Sequence, residues 1–251
     1  MNFRDILDPL WLPEYEQDMQ ILHQQLWRLN SCVFLMEKIF PFPFDAVQAP
    51  VFPFWVIVTD SMFETCILII WRVAVDCQGD GVTLQGLRNK IFKNIKNQQM
   101  KEKCRAIFKN AKFEENVSMY RKEIVELRHN QIAHFKMKRI PPTLEEIKKT
   151  TIMFSELKKC TEELNSFFKI MCFGFDLPLL PPEYDPSANR PIPAGKVSDI
   201  EAILDGLVKD SRWLNEPERQ YQHWPQIRKT KSVEELNILN KYRAKFGMPK
   251  V

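Results

Sequence analysis

The sequence contains little glycine and no grouping of cysteines that is typical of a zinc site. Only 7 of the 251 residues are Gly, which favours a helical protein over a turn-rich β fold. The six cysteines include no C-x-x-C pair, so neither a disulfide framework nor a zinc knuckle is expected, and we expect reduced thiols in a cytoplasmic protein. The sequences H-E-x-x-H, G-x-x-x-x-G-K and G-x-G-x-x-G are also missing. We therefore expect no metal and no cofactor.

The chain also lacks an uninterrupted hydrophobic run. We expect no signal peptide, because charged residues occupy the positions near the N-terminus where an apolar core is required. The most apolar stretch, residues 54–75, is interrupted by three charged residues, Asp60, Glu64 and Arg72. This pattern predicts a buried core helix and no membrane span.

Positive charge is concentrated in one part of the chain. The net charge is only +4, yet residues 88–139 hold 15 Lys or Arg against 5 Asp or Glu, a local charge of +10. A phosphate-bearing partner would favour such a segment. A solvated lysine-rich surface would have the same composition, so charge alone does not decide between them.

Apolar residues recur at intervals of three and four along several segments, which predicts helices. Thr83 is placed to cap one of them, and Thr143 to Glu146 forms a capping box that opens another. The predicted helices span residues 13–40, 54–76, 84–96, 99–110, 114–138 and 143–173. Together they predict an all-α protein, an antiparallel up-and-down bundle of five or six helices.

The composition changes after residue 175. Six of the 17 prolines lie between Asp176 and Lys196, which predicts a linker or a strap over the bundle. Two further capping boxes, beginning at Ser198 and Ser232, predict short helices, and Trp213 offers an aromatic anchor between them. We predict a helical bundle over residues 1–175, a Pro-rich linker over 176–196 and a short helical extension over 197–251.

The segment Glu126–Phe135, with the sequence ELRHNQIAHF, places an arginine and a histidine in one predicted helix. On a helical wheel, Ile124, Leu127 and Phe135 share an apolar arc. Arg128 falls within this arc and His134 falls at its edge. A guanidinium keeps its charge and is seldom buried without a partner. Arg128 therefore requires an acid, a neighbouring chain or a phosphate.

This segment resembles the signature of the HEPN superfamily, an arginine, a polar residue and a histidine four to six positions further on. Arg128, His129 and His134 occupy these positions. The sequence LRHNQIAHF is similar in particular to the corresponding segment of the abortive-infection-type members, which resembles Leu-Arg-Asn-Lys-x-x-Ala-His. The resemblance extends over about residues 10 to 175 and does not cover the tail after Lys196.

The resemblance implies an all-helical bundle that forms a homodimer, with the motif helices meeting to build a ribonuclease site that needs no metal. It implies a toxin or phage-defence role, with RNA as substrate and an antitoxin or other defence-system protein as a further partner. One position departs from this pattern. In toxins silenced by a nucleotidyltransferase antitoxin a tyrosine lies two residues beyond the histidine, and here that residue is Lys136.

The chemistry of the residues is compatible with RNA cleavage by the substrate's own 2′-hydroxyl. His134 is the candidate base or acid, because imidazole titrates near neutrality, and Arg128 is the candidate phosphate clamp. Six positions apart on a helix, their side chains diverge by about 120° and are separated by about 9 Å along the axis, so one chain frames half a site. Asn130 could orient the imidazole of His134, and His129 is a candidate second proton carrier.

Other interpretations remain open from the sequence. Arg128 and His134 could form a buried ion pair and a hydrogen-bonded core histidine, with Asp60 or Glu64 as the acid that holds Arg128. A non-catalytic module that binds RNA, a nucleotide or a protein partner would use Arg128 only as an anion anchor. In a protein-interaction bundle the basic face would serve solubility alone.

Overall fold

The computed structural model describes residues 2–47, 52–75, 81–112, 124–125, 154–174, 177, 179, 184–185, 190–191, 198–218 and 232–251. Within these ranges the chain is an all-α helical bundle, as the sequence predicts. Extended pairing in them is limited to two strands of two residues each and one isolated bridge between Leu7 and Ile95. The predicted motif helix over residues 114–138 falls almost wholly outside them. Its two described residues, Ile124 and Val125, are α-helical.

The longer described helices follow the predicted order and begin and end within a few residues of the predicted positions where both are described. Three helices of four residues each were not predicted. They are α1 (Phe3–Ile6), α2 (Leu12–Ile39), α3 (Phe44–Val47), α4 (Phe52–Ile70), α5 (Leu84–Asn94), α6 (Gln98–Asn110), α7 (Phe154–Met171), α8 (Asp199–Lys209), α9 (Arg212–Asn215) and α10 (Val233–Lys245). A 3-10 turn at Pro9–Trp11 precedes α2, and a π-helical turn at Trp71–Val75 continues α4. In the Pro-rich segment, β1 (Tyr184–Asp185) pairs antiparallel with β2 (Arg190–Pro191).

The structure divides into two compact units, each built from two stretches of chain. The first comprises Met1–Val33 and Met62–Pro181, and the second comprises Phe34–Ser61 and Pro182–Val251. The predicted division placed residues 34–61 in the N-terminal bundle and treated residues 197–251 as a separate extension. In the structure these two stretches belong to the same unit.

The core of the first unit is formed by one stripe of α2 together with α5 and α7. Along α2 the predicted apolar residues are buried at successive turns, namely Met19, Leu22, Leu26 and Leu29. Leu84, Leu87 and Ile91 of α5 are also fully buried. The Thr83 hydroxyl accepts a hydrogen bond from Gly86 N at 2.9 Å, which confirms the predicted N-cap of α5.

Two buried polar contacts tie α2 to α7 within this unit. The Tyr15 hydroxyl donates to the carbonyl oxygen of Met171 at 2.7 Å. The side-chain amides of Asn30 and Asn165 exchange two hydrogen bonds, at 3.0 and 2.8 Å. Because buried polar groups must find partners, these contacts fix how far one helix can slide along the other.

Helix α4 is apolar on nearly all sides, yet only part of it is buried. Cys66, Ile67 and Ile70 are buried, whereas Ile57 near its start is 65% exposed. The prediction of a buried core helix is therefore wrong for the exposed face of α4. Among the described residues, Phe54–Ala74 is the one helical stretch with the length and composition to cross a membrane, with 22% of its most apolar window buried.

The second unit is organised by capping boxes and an aromatic cluster. Both predicted boxes are present, Ser198 with Glu201 at the start of α8 and Ser232 with Glu235 at the start of α10. Trp213 of α9 is fully buried, as expected of an anchor, and its ring meets Tyr242 edge-on with 6.0 Å between centroids. The buried Arg243 guanidinium donates hydrogen bonds to the carbonyl oxygens of Leu214 and Pro249, which ties α9 and the end of the chain to α10.

Candidate functional site

The predicted catalytic residues lie outside the part of the chain that the structure describes. This holds for Arg128, His129, Asn130 and His134 alike. The nearest described residues are Ile124 and Val125, both α-helical, and Ile124 is 1% exposed. Its burial agrees with its predicted place on the apolar arc that also contains Arg128, so the arc does face a core at that turn.

The two candidate acids are described, and both are exposed. Asp60 and Glu64 lie one turn apart on α4, with Asp60 in the second compact unit and Glu64 in the first. Exposed carboxylates are solvated and need no partner. Their pairing with Arg128 stays a prediction, because Arg128 is outside the described ranges.

Most of the predicted basic segment is described, and it forms α5 and α6. Residues 81–112 hold nine Lys or Arg and one acid, Glu102. The side chains of Cys104 and Phe108 are buried, so the side of α6 that carries them faces the core. The outer residues include four exposed cations, Lys103, Arg105, Lys109 and Lys112.

Three cations form a line along one side of α6. Lys101, Arg105 and Lys109 follow each other at intervals of four residues, so their side chains lie one turn apart. Lys101 is half-buried and the other two are exposed. Like charges at this spacing repel each other and disfavour the helix by about 0.2–0.5 kcal/mol per pair. An anion laid along the line would relieve that repulsion.

The basic helices are held firmly within the first unit. The rings of Phe92 on α5 and Phe108 on α6 meet edge-on with 5.5 Å between their centroids. Lys90 on the other side of α5 forms salt bridges to α2, to Glu14 at 2.7 Å and to Asp18 at 2.8 Å. Lys90 is therefore committed to structure and does not belong to the outer basic surface.

The salt bridges shift the ionisation of the groups that form them. Hydrogen bonds to Asp18 and then to Glu14 raise the pKa of Lys90, because both favour its charged form. The hydrogen bond from Lys90 lowers the pKa of Glu14 for the same reason. Both groups are thus held in the charged form at neutral pH.

The described residues form no metal site. No group of three or more His, Cys, Asp or Glu side chains in these ranges could hold a metal ion. His23, the one histidine that they include, is half-buried on α2, with its ring centroid 6.4 Å from that of Phe168.

One pair of reactive side chains was missed by the sequence interpretation. Cys32 on α2 is half-buried and Cys66 on α4 is buried, and a side-chain hydrogen bond with Cys66 lowers the pKa of Cys32 to about 7. The two residues are far apart in sequence and follow no metal or redox spacing. The one signal that they share is a place on the inner side of a predicted helix.

No family model, curated protein or solved structure matches this chain. The HEPN resemblance therefore rests on the segment from Glu126 to Phe135 and the helix order around it.

Proposed function

We propose that this chain is a metal-independent endoribonuclease of toxin or phage-defence type, in which Arg128 and His134 act on a phosphodiester of RNA. The observation that carries the proposal is the Arg128–His134 pair, at the spacing and with the polar neighbour of the signature that it resembles. The basic outer side of α6 supports it, because it offers cations for the backbone of the same substrate.

The proposed reaction requires one base, one acid and a cation. A base, His134, removes the proton of the 2′-hydroxyl, whose oxygen attacks the adjacent phosphorus. The bond from phosphorus to the 5′-oxygen breaks, and that oxygen takes a proton from an acid, which is His129 or the second copy's imidazole. The products are a 2′,3′-cyclic phosphate and a 5′-hydroxyl. Arg128 stabilises the negative charge that develops on the phosphate oxygens.

A homodimer would complete the site. Because the Arg128 and His134 side chains would diverge by about 120° on the predicted helix, a single copy would hold the clamp and the base on different sides. Two copies related by a dyad can present the clamp of one and the base of the other to the same phosphate. Such an enzyme would act in the cytoplasm. A neutralising partner would bind by a route other than modification of a tyrosine at position 136, which is Lys136.

A second candidate is a non-catalytic module that binds RNA. The observation that favours it is the line of cations on α6, which is sufficient for electrostatic binding without any proton transfer. In that case Arg128 anchors a phosphate and His134 has no chemical role.

Incubation with total RNA separates the two candidates. We expect the wild-type protein to cleave RNA in the presence of EDTA and to leave 2′,3′-cyclic phosphate ends. The Arg128→Ala/His134→Ala double variant should lose this cleavage, while His223→Ala, which removes a histidine outside the motif, should retain it. Cleavage is read by end-specific labelling, and binding is measured in parallel by fluorescence anisotropy.

The outcomes are distinct. Binding by the wild type with no cleavage of any RNA would favour the non-catalytic module. Full cleavage by the double variant would show that the Arg128–His134 pair is not the site. Cleavage that EDTA abolishes would contradict the metal-independent mechanism.

A further inference from the structure

The cations along one side of α6 have no acidic partner in the described structure. Elsewhere in the fold, Lys90 and Lys245 hold carboxylates at 2.6 to 2.8 Å. By contrast, the side chains of Lys101, Arg105 and Lys109 form no salt bridge and no hydrogen bond with any residue that the structure describes. We refer to these three residues as the α6 line. Its charges are available to a ligand.

The one acid of α6 is not paired with this line. Glu102 is exposed, and its carboxylate accepts a hydrogen bond from the side-chain amide of Gln98 at 3.4 Å. It forms no salt bridge with a described cation. With four Lys or Arg against this one acid, the outer side of α6 stays positively charged and attracts anions.

The length of the α6 line favours an extended anion over a compact one. Lys101 and Lys109 are eight residues apart, which is about 12 Å along the helix axis. A single phosphate bridges these ends only if both side chains bend fully towards each other, whereas a nucleic-acid strand carries a phosphate at every nucleotide. An endoribonuclease cleaves one phosphodiester at a time. The line is therefore suited to phosphates that neighbour the cleaved one.

The backbone that carries the line is already ordered. Cys104 and Phe108 on the inner side of α6 are 1% and 4% exposed. The side chain of Asn97 caps the helix by accepting a hydrogen bond from Gln99 N at 2.8 Å. Because no backbone has to be ordered when a ligand binds to this helix, little of the interaction energy is lost to ordering.

We propose that the α6 line holds phosphates of the RNA strand other than the one that is cleaved, and so makes the enzyme prefer strands of several nucleotides over a dinucleotide. This inference rests on the proposed ribonuclease function. Lys101, Arg105 and Lys109 bind the charge of the backbone and take no part in proton transfer. The α6 line thus determines the length of the substrate, while the Arg128–His134 pair carries out the chemistry.

The ligand of the line is a chain of phosphodiesters. Recognition of the chain by its charge does not require the 2′-hydroxyl, which is the group that lets a protein distinguish RNA from DNA. A DNA strand should therefore compete with RNA for the α6 line, although it has no 2′-hydroxyl with which to be cleaved. Inorganic phosphate carries the same charged group without the chain and should compete poorly.

The test compares cleavage of one phosphodiester in two lengths of RNA. The substrates are a strand of twelve nucleotides with one linkage that the wild type cleaves, and the dinucleotide with that linkage. The ratio of their kcat/KM values is the length preference. In Lys101→Gln/Arg105→Gln/Lys109→Gln we expect it to fall on the order of 100-fold at 0.1 M salt, because each lost phosphate contact on a single strand costs about 5-fold there. The fall should appear as a higher KM for the strand. If the wild type leaves the dinucleotide uncut, this KM decides.

Two variants serve as controls. Lys101→Arg/Lys109→Arg keeps every charge of the line and should keep the wild-type length preference. Lys209→Gln/Arg212→Gln/Lys241→Gln removes three exposed cations of the second compact unit and should also keep it. Thermal melting followed by circular dichroism checks that each variant is folded.

Three results would overturn the proposal. They are a wild-type length preference in the α6 triple variant, an equal loss in the triple variant of the second unit, and inhibition by inorganic phosphate as strong as that by the DNA strand.

Failure of the proposed function would look different, because no RNA would then be cleaved by any variant. Binding of a labelled DNA strand of twelve nucleotides, measured by fluorescence anisotropy, then tests the line by itself. The α6 triple variant should bind this strand more weakly than the wild type does. Equal affinity would refute the α6 line as a binding surface.

Discussion

At the scale of single residues, the salt bridges of Lys90 join α5 to α2. Asp18 is 5% exposed, so its carboxylate has little access to water, and Lys90 is a cation that holds it at 2.8 Å. A buried charge without a partner is costly, whereas an exposed ion pair contributes little. The stability lost on removal of Lys90 therefore depends more on Asp18 than on Glu14, whose side chain is 53% exposed.

Replacing Lys90 by alanine should destabilise the protein. We expect a loss of about 1–2 kcal/mol in the free energy of unfolding at pH 7, a value reduced from that of a fully buried pair because the Lys90 side chain is 42% exposed. The matched control is Lys93→Ala, which removes an exposed cation three residues further along α5. Urea unfolding followed by circular dichroism measures both.

The difference in the free energy of unfolding between Lys90→Ala and Lys93→Ala should depend on pH in a defined direction. The pKa of Glu14 is lowered in the folded protein. Ionised Glu14 therefore stabilises the fold above the pKa that it has in the unfolded chain, and this stabilisation is lost as the pH falls through the folded pKa. The pKa of Lys90 is raised, so its contribution is present at neutral pH and is lost only as the pH rises through the folded value. A Lys90→Ala penalty that grows in acid would contradict this assignment.

At the scale of elements, the line of Lys101, Arg105 and Lys109 is the described feature that bears most directly on function. These residues occupy one side of α6, while Cys104 and Phe108 hold the helix in the core. Their neutralisation should affect binding of a polyanion without removing apolar contacts. This prediction rests on the proposed interaction with RNA.

The triple variant Lys101→Gln/Arg105→Gln/Lys109→Gln should bind single-stranded RNA more weakly. The slope of log K against log salt is negative, and each lost phosphate contact on a single strand makes it shallower by about 0.7. We therefore expect the slope of the triple variant to be shallower by about 2. The variant should melt no lower than the wild type, since removal of repulsion at four-residue spacing does not destabilise a helix. Fluorescence anisotropy over a salt series gives the slope.

The matched control removes the same number of charges elsewhere. Lys209→Gln/Arg212→Gln/Lys241→Gln neutralises three exposed cations of the second compact unit. Its salt slope should equal that of the wild type. An equal fall in both variants would show that binding follows net charge and is not localised on α6.

Local chemistry made most of the described helices predictable. Thr83 and the boxes at Ser198 and Ser232 are confirmed as caps, because a hydroxyl that bonds the first turn acts within three residues. The burial of α4 was not predictable in the same way. Its composition is apolar on nearly all sides, and only its neighbours decide which side is covered.

At the scale of the whole molecule, contacts between residues that lie far apart in the chain could not be predicted from the sequence. The second unit joins residues 34–61 to residues 182–251, and the approach of Phe42 to Tyr242, with 6.5 Å between ring centroids, is one of its contacts. Asn30 and Asn165 pair in the first unit on the same principle. No periodicity or spacing specifies such partners, because each residue of a pair fits its own segment of the chain equally well without the other.

The candidate site shows the same division between local and long-range information. The residue types and spacing at Arg128 and His134 predict a chemistry, and Ile124 agrees with the predicted arc. Which copy supplies which group is a property of an assembly. Only a measurement that mixes copies can establish it.

Mixing two inactive variants tests the shared site in the proposed dimer. If each site takes Arg128 from one copy and His134 from the other, a heterodimer of Arg128→Ala with His134→Ala retains one site with both groups and one with neither. Random exchange makes half of the dimers mixed, so RNA cleavage should recover to about a quarter of the wild-type rate. Either variant mixed with itself should stay inactive, as should Arg128→Ala mixed with the double variant. If both groups of a site come from the same copy, every site in the mixture lacks one of them, and no activity returns.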